Sequence, residues 1–440
     1  MADLMALAIQ ACQEALRRGA QFADAEVWRG RSLAVNVESN GIHDASERRS
    51  AGISVRSIIR GATGFSQASS IDEAGALETA RRSAEAAKLA QPDPDFVSLP
   101  GPSAYEEVPG LYDPAVAGMG AEELIRTIGE EIDGAREVAS DVKVQGGAGL
   151  GVSERALANS LGVRFATRKT DLGLHIFCIV KHGDDVGSYY DFDFARAGED
   201  FAPRGLGAAT CRQALGFLGS RSIRSATLPV VFGPLVSGFL FPAICASASA
   251  EEIQRRRSYL ADRRGRRIGS ELLTLRDDGY VPRGMASGPC DGEGAPRRKV
   301  TVVERGVLVN HLHGSYTANK AGEANTGHGS RSGGVRPTNV VPELGGAPAA
   351  EILADTKEGI YVNMSSVFPH PVTGDISATV DFGHKIENGR LAGPLKNTML
   401  GLSVFDLLGN LDAISSDCRR EPGMIMPTIR VRGVKVAGAG

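Results

Sequence analysis

The sequence predicts an α+β chain: an N-terminal mixed α/β region with antiparallel strands, then a β-rich C-terminal domain that begins near Leu228. Apolar residues alternate in segments between Ala25 and Ser70, the period of half-buried strands. Helical spacing marks the segments on either side. The last third holds two apolar stretches, VTVVERGVLVNHL and ISATVDFGHKIENGRLAG, each broken by a turn-forming dipeptide, Arg305-Gly306 and Asn388-Gly389.

Taken in order, Met5, Ile9, Cys12 and Leu16 share one face of a first helix, and no basic region precedes them as a secretory leader would require. Leu33, Val35 and Val37, then Ile53 and Val55, repeat every second residue and predict antiparallel strands. Ser70 with Glu73 forms a capping box for a second helix, whose face is Leu77, Ala80, Ala84 and Ala87. The PDPD stretch from Pro92 ends it, and these elements make an N-terminal α/β domain over 1–100. After a Pro/Gly-rich connector, a central domain over 115–222 carries a helix with Leu124, Ile128 and Ile132 on one face. It continues with strands around Val142 to Val144 and Leu172 to Val180, and a Gly/Ala-rich helix from Gly205 to Leu218.

The C-terminal domain, 226–440, opens with the strand Leu228 to Phe232, a turn at Gly233-Pro234 and a core helix. Ser225 to Ala250 carries no charge and is long enough to cross a bilayer, but Pro229, Pro234 and Pro242 argue against a spanning helix. The 55 glycines exceed the usual share of about 7%, so turns and close backbone approaches are frequent. No repeat of fixed period is found.

Hydrophobic content of 42%, charge of 23% and a net charge of -3 describe a soluble globular protein without the positive field that nucleic-acid binding requires. Neither nucleic acid nor a membrane is expected as a partner. The six cysteines are scattered singly without a CxxC pair, which suits reduced thiols and a cytoplasmic location. There is no complete P-loop or dinucleotide fingerprint.

Several short strings stand in a recognisable order: FADAEVWRGRSLAVNVESNGI, AGISVRSIIRGATGFSQASS, ALANSLGV, PVVFGPLVSGFLF, SGPCDGEG, GSYTANKAG with NTGH, VTGDIS and PTIRVRGVKVAG. Each alone recurs by chance. Together, over essentially the whole chain, they resemble the TldD/PmbA family, and the resemblance implies a TldD/PmbA-like fold. Active TldD-type members carry HExxxH on the helix after the PVV strand, with two histidines for zinc and the glutamate as general base. Here that stretch reads PVVFGPLVSGFLFPAICAS, which places Pro242 at the first histidine, Ala243 at the glutamate and Ser247 at the second histidine. The departure matches the TldE branch, whose members pair with a TldD-like subunit around a closed chamber.

No metal or other cofactor is expected in this chain, with zinc placed in a homologous partner. Cys418 lies where active members supply a third zinc ligand, and is read as a residual or structural thiol. His311 and His313, one residue apart in a predicted strand, could share a face, but no third ligand is evident; His311 is instead counted with His328 and the three arginines below as a candidate substrate-binding residue. His328, in NTGH, is read either as lining the chamber or as holding a loop by a hydrogen bond. Glu251, Glu252, Arg255, Arg256 and Arg257 follow the core helix, and the arginines could grip an anion or form a solvated face. His43-Asp44 and Asp184-Asp185 are titratable, and surface charge is the simpler account.

The resemblance implies a non-zinc subunit of a heteromeric metallopeptidase acting on small or unfolded peptides. An alternative is non-proteolytic chemistry in natural-product biosynthesis, such as aziridine formation by sulfate elimination, with arginines holding the departing anion. A third is a binding or scaffold protein that keeps the fold alone.

Overall fold

The computed structural model describes residues 2–439. Helix α1 (Ala2–Arg17) turns Leu4, Ala8, Ala11, Cys12 and Ala15 inward; of the expected face only Cys12 is buried, Met5 and Ile9 are half-buried and Leu16 is exposed, because the small alanines pack closest to the sheet. Strands β1 (Phe22–Glu38) and β2 (Gly41–Ile59) form a long hairpin. Its turn, Ser39-Asn40, has positive φ at both positions, matching the twist of the flanking strands. Strand β3 (Ala62–Ala68) follows across Arg60-Gly61, and α2 (Glu73–Leu89) returns over the sheet. The cap of α2 differs from the expected Ser70–Glu73 box: Asp72 accepts from the Gly75 amide at 2.7 Å, and Ser70 instead donates to Asp72. Asp72 stands immediately before the first helical residue, and its negative charge suits the helix N-terminus.

After an irregular connector come α3 (Pro114–Gly118), α4 (Ala121–Val138), β4 (Lys143–Asn159), β5 (Arg164–His182), β6 (Asp185–Ala195) and α5 (Leu206–Gly216). Strand β4 pairs with β1 from Asp24↔Asn159 to Val37↔Gly146. The first two sections therefore share one antiparallel sheet, ordered β3-β2-β1-β4-β5-β6. Period-two alternation puts Val27, Ile53 and Val55 under the alanine faces of α1 and α2. Leu33, Val35, Leu150, Leu174 and Ile176 pack with Leu124, Ile128 and Ile132 of α4. Helix α5 crosses α4 so closely at Gly207 that a Cβ there would run into the Glu131 carbonyl.

The remaining elements are β7 (Ala226–Phe232), α6 (Pro234–Ser247), α7 (Ala250–Gln254), β8 (Leu275–Asp278), β9 (Lys299–Glu304), β10 (Val307–Leu308), α8 (Ser315–Ala321), β11 (Val340–Pro342), α9 (Ala349–Asp355), β12 (Glu358–Ser365), β13 (Asp375–Glu387), β14 (Arg390–Pro394), β15 (Thr398–Ser403), α10 (Val404–Gly409), β16 (Leu411–Glu421) and β17 (Met424–Gly438). Strands β12, β7, β17, β15 and β13 pair in sequence, and β13 pairs back to β12, closing a ring. Helix α6 lies between this ring and the small sheet β10-β9-β8-β11, touching β17 and β12 on one side and β8 and β11 on the other. Its Val236, Leu240, Phe241 and Ile244 are buried there, which accounts for the uncharged run as a core helix. No helix among the described residues is long and apolar enough to cross a membrane.

Both expected hairpins form, with positive φ at Arg305 and Gly306 and at Asn388 and Gly389. The strand after Arg305-Gly306 is shorter than predicted. It ends at Leu308, so His311 and His313 lie beyond it and not on a shared strand face.

Candidate functional site

A cleft of about 580 Å³ opens between the N-terminal sheet and the loops of the C-terminal domain. Arg56 and Phe65 of β2 and β3, Glu251 and Arg255 around α7, Tyr316 and Lys320 of α8, and the Gly329–Val335 loop line it. Its floor is a buried ionic joint. Asp24, 1% exposed, accepts from Arg56 Nε at 2.8 Å and from Arg331 Nε at 2.6 Å. Arg331 also donates to Ser54 Oγ at 2.5 Å and to the Asp24 and Ser54 carbonyls. Arg56 reaches across to Glu293 Oε1 at 3.2 Å, and Glu293 Oε2 accepts from the Ser315 amide at 3.0 Å. Burial works to raise the Asp24 pKa, but the Arg331 and Arg56 guanidiniums outweigh it and hold the carboxyl below its ordinary range.

Asp291 supports the same wall from behind. Its oxygens accept from the amides of Glu293, Ala295 and Gly329 at 2.8–2.9 Å. Burial, with the Glu293 charge second, pushes its carboxyl up to about 6. The cleft carboxylates Glu251 and Glu293 are each engaged by a basic group, and Lys320 pairs with Asp95 at 2.5 Å. This arrangement makes a shaped, charged wall in which these groups hold one another.

The residues singled out from sequence scatter. Of the three arginines only Arg255 lines the cleft; it pairs with Glu251 at 3.0 Å and is 58% exposed, while Arg257 pairs with Glu252 at 2.8 Å and Arg256 is exposed. They do not form one grip, because the short helix ends at Gln254 with Arg255 as its cap and the chain turns at Arg256 with positive φ. His328 has a fully buried side chain and lies off the cleft. Its Nε2 meets Asp277 at 2.8 Å and its Nδ1 meets Thr326 Oγ1 at 2.9 Å, which is the loop-holding arrangement.

His311 and His313 have ring centroids 6.4 Å apart, and His313 Nε2 lies 3.5 Å from Glu323. Burial lowers both pKa values, His311 to about 4 with Arg264 adding to the effect. Neither lines the cleft. His43 is exposed, 3.6 Å from Glu38, and Asp185 accepts from the Gly219 amide at the surface.

Helix α6 carries Pro242 in its interior, Ala243 beside it, and Ser247 with its hydroxyl turned back to the Ala243 carbonyl at 3.0 Å. The side chains of proline and alanine have no lone pair to offer, and the serine hydroxyl donates along its own helix. Ser237 of the same helix donates to the Pro427 carbonyl at 2.6 Å, and Pro427 of β17 pairs with Cys418 of β16. Cys418 therefore sits on the hairpin that packs against α6, half-buried and in no disulfide. Among the described residues no group of three or more His, Cys, Asp or Glu is arranged to hold a metal ion.

Comparison with known proteins follows this architecture along the chain. Three family models match: "PmbA/TldA metallopeptidase domain 1" over residues 23–87, the central domain over 115–218 and the C-terminal domain over 225–438. The chain belongs to the TldD/PmbA family. Its fold is of the TldE type: it superposes on TldE from Thermococcus kodakarensis with a TM-score of 0.89 at 26% identity, covering 98% of this chain and 100% of that one. An uncharacterised protein of Methanocaldococcus jannaschii is 27% identical over 416 residues, 91% of this chain and 93% of its own length. The metalloprotease PmbA of Escherichia coli O157:H7 is 24% identical over 286 residues, and the match spans 64% of this chain and 62% of PmbA.

Sequence reasoning missed Asp24, Arg56, Glu293 and Arg331. The one local signal was Asp24 itself, a carboxylate in the strand FADAEV on a sheet otherwise reading apolar toward its helices. A buried charge needs a partner, but the sequence does not say where along the chain that partner lies.

Proposed function

We propose that this chain is the non-zinc, TldE-type subunit of a two-component metallopeptidase-like complex. Its partner is a TldD-like homologue that carries the zinc, and its substrates are small or unfolded peptides. What supports this reading is helix α6: at Pro242, Ala243 and Ser247, where the resemblance puts the metal motif, no side chain is free to bind a metal or act as a base. The chain's part is to supply wall and closure. The mutually engaged charges of the cleft suit a rigid surface that excludes folded proteins. Free, unpaired thiols at all six cysteines support a cytoplasmic setting.

The alternative of anion elimination draws less support, since Arg255 alone of the three arginines reaches the cleft. The test is co-purification with a TldD-like homologue from the same organism, followed by metal analysis of the complex and of each chain. The expected result is a stable complex with zinc confined to the partner. Stoichiometric zinc with peptide cleavage in this chain alone would overturn the reading.

A further inference from the structure

The stretch PDPDF after α2 folds into a tight turn that has no part in the proposed function. The Phe96 amide donates to the Asp93 carbonyl at 3.2 Å, and the Asp95 amide donates to Asp93 Oδ1 at 2.9 Å. Aspartate at the first position and proline at the second are what such a turn favours. The Asp93 amide ties it to the sheet by donating to the Gly61 carbonyl at 3.0 Å, and the Phe96 ring meets Phe22 edge-on at 5.8 Å. Asp93 and Phe96 are thereby held close together in the wall of the cleft, and Phe65 and Tyr316 line the same space.

The charge of this lining is out of balance at one place. Its four basic side chains are all held: Arg56 by Asp24 and Glu293, Arg331 by Asp24, Arg255 by Glu251 and Lys320 by Asp95. Of its three carboxylates, Glu251 and Glu293 belong to those pairs, whereas Asp93 makes no ion pair among the described residues. Lys320 lies within the field of Asp93 but is bonded to Asp95. The surface around Asp93 is aromatic: Phe65 is 45% exposed, and Phe96 and Tyr316 are half-buried. Burial, and after it the neighbouring Asp93 carboxylate, raise the Tyr316 hydroxyl above its ordinary range. Two of these rings already face a cation, Phe65 with Arg331 at 5.8 Å and Tyr316 with Lys320 at 5.9 Å. Among the described residues no basic group covers Phe96.

We infer that Asp93 and Phe96 form a subsite for an organic ammonium group of a ligand lying in this cleft. The carboxylate supplies the counter-charge and accepts N–H bonds, and the ring face attracts the cation through its quadrupole. A neutral or anionic group can use neither. A hard metal ion is a poorer fit, because it takes several oxygen ligands and the subsite offers one carboxylate. That the group is carried by a peptide, as its amino terminus or as a lysine side chain, rests on the proposed function. The ammonium subsite itself does not.

The test is an NMR titration of the full chain with n-butylamine and n-butanol, and with an alanine tetrapeptide amide whose amino terminus is free or acetylated. Butylamine should bind and butanol should not, and acetylation should weaken the peptide by roughly tenfold or more. An acetylated peptide with one lysine separates the two carriers: binding as tight as that of the free terminus supports a side-chain ammonium, and weaker binding supports the amino terminus. Asp93→Asn keeps the Oδ1 acceptor of the turn and removes only the charge, so it should weaken butylamine by roughly tenfold or more, and Phe96→Leu by roughly threefold. Asp184→Asn, at an exposed carboxylate elsewhere, should change nothing. Butylamine binding that survives Asp93→Asn unchanged would overturn the inference. So would equal binding of amine and alcohol, or no binding of any amine. A chain that binds butylamine through Asp93 yet forms no complex with a TldD-like homologue would leave the subsite standing while the proposed function falls.

Discussion

Arg255, Arg256 and Arg257 stand side by side in sequence and on the surface, whereas Arg56 and Arg331, far apart in the chain, meet at the buried Asp24. In the first group the pairs are with acidic residues of the same short helix, and Arg255 is 58% exposed. Water screens such pairs, and each is worth about 0–1 kcal/mol. In the second group Arg331 is 5% and Asp24 1% exposed, and the guanidiniums satisfy the carboxylate from two domains. The difference teaches that a dense run of charge marks a solvated face, while isolated charges on opposite walls of a cleft can be the joint that shapes it.

The largest effect that would test this contrast comes from Arg331→Met. It leaves Asp24 buried with half its compensation, and the expected loss is about 3–5 kcal/mol in denaturant unfolding. Replacing both members, D24N/R331M, should recover part of that loss, because the uncompensated charge is gone. A loss below about 1 kcal/mol in the single variant would put the buried joint in the same class as the surface pairs.

A smaller effect sharpens the comparison through pH. The Asp24 carboxyl is depressed, so its stabilisation is present above the ordinary value of 3.8 and is lost as pH falls through its lower folded value. Asp291 runs the other way. Its folded carboxyl, raised to about 6 from 3.8, binds a proton more readily than the unfolded one, so its cost is full above pH 6 and is relieved as pH falls toward 3.8. The unfolding free energy of the unsubstituted chain, measured relative to Asp291→Asn, should therefore rise by about 1 kcal/mol between pH 7 and pH 5. A flat difference would remove Asp291 from the account of the cleft wall.

The smallest effect belongs to the exposed group. Arg255→Ala, Arg256→Ala and Arg257→Ala should each change stability by less than about 0.5 kcal/mol in thermal or denaturant unfolding. A loss above about 1 kcal/mol at any of the three would break the contrast from its other side.

Much of the fold was legible because its signals are short-ranged. Arg305-Gly306 and Asn388-Gly389 made the expected hairpins since both positions of such turns need positive φ. The α4 face of Leu124, Ile128 and Ile132 and the alternation of Leu33, Val35 and Val37 came out buried where their periods put them. The helix that contains Pro242 was placed correctly. The site was far less legible. His328, read as a chamber residue or a loop tie, has a buried side chain held by Asp277 of β8, a partner the sequence does not point to.

The sequence by itself determined the turns and the periods of the elements, because each is decided by sterics and hydrogen bonding within a few residues. The tertiary structure alone decided that β1 and β4 join the first two sections in one sheet, that β12 and β13 close the ring, and that Asp24, Arg56, Glu293 and Arg331 meet. A buried charge persists only where distant partners repay its desolvation, and that compensation is a property of the packed chain.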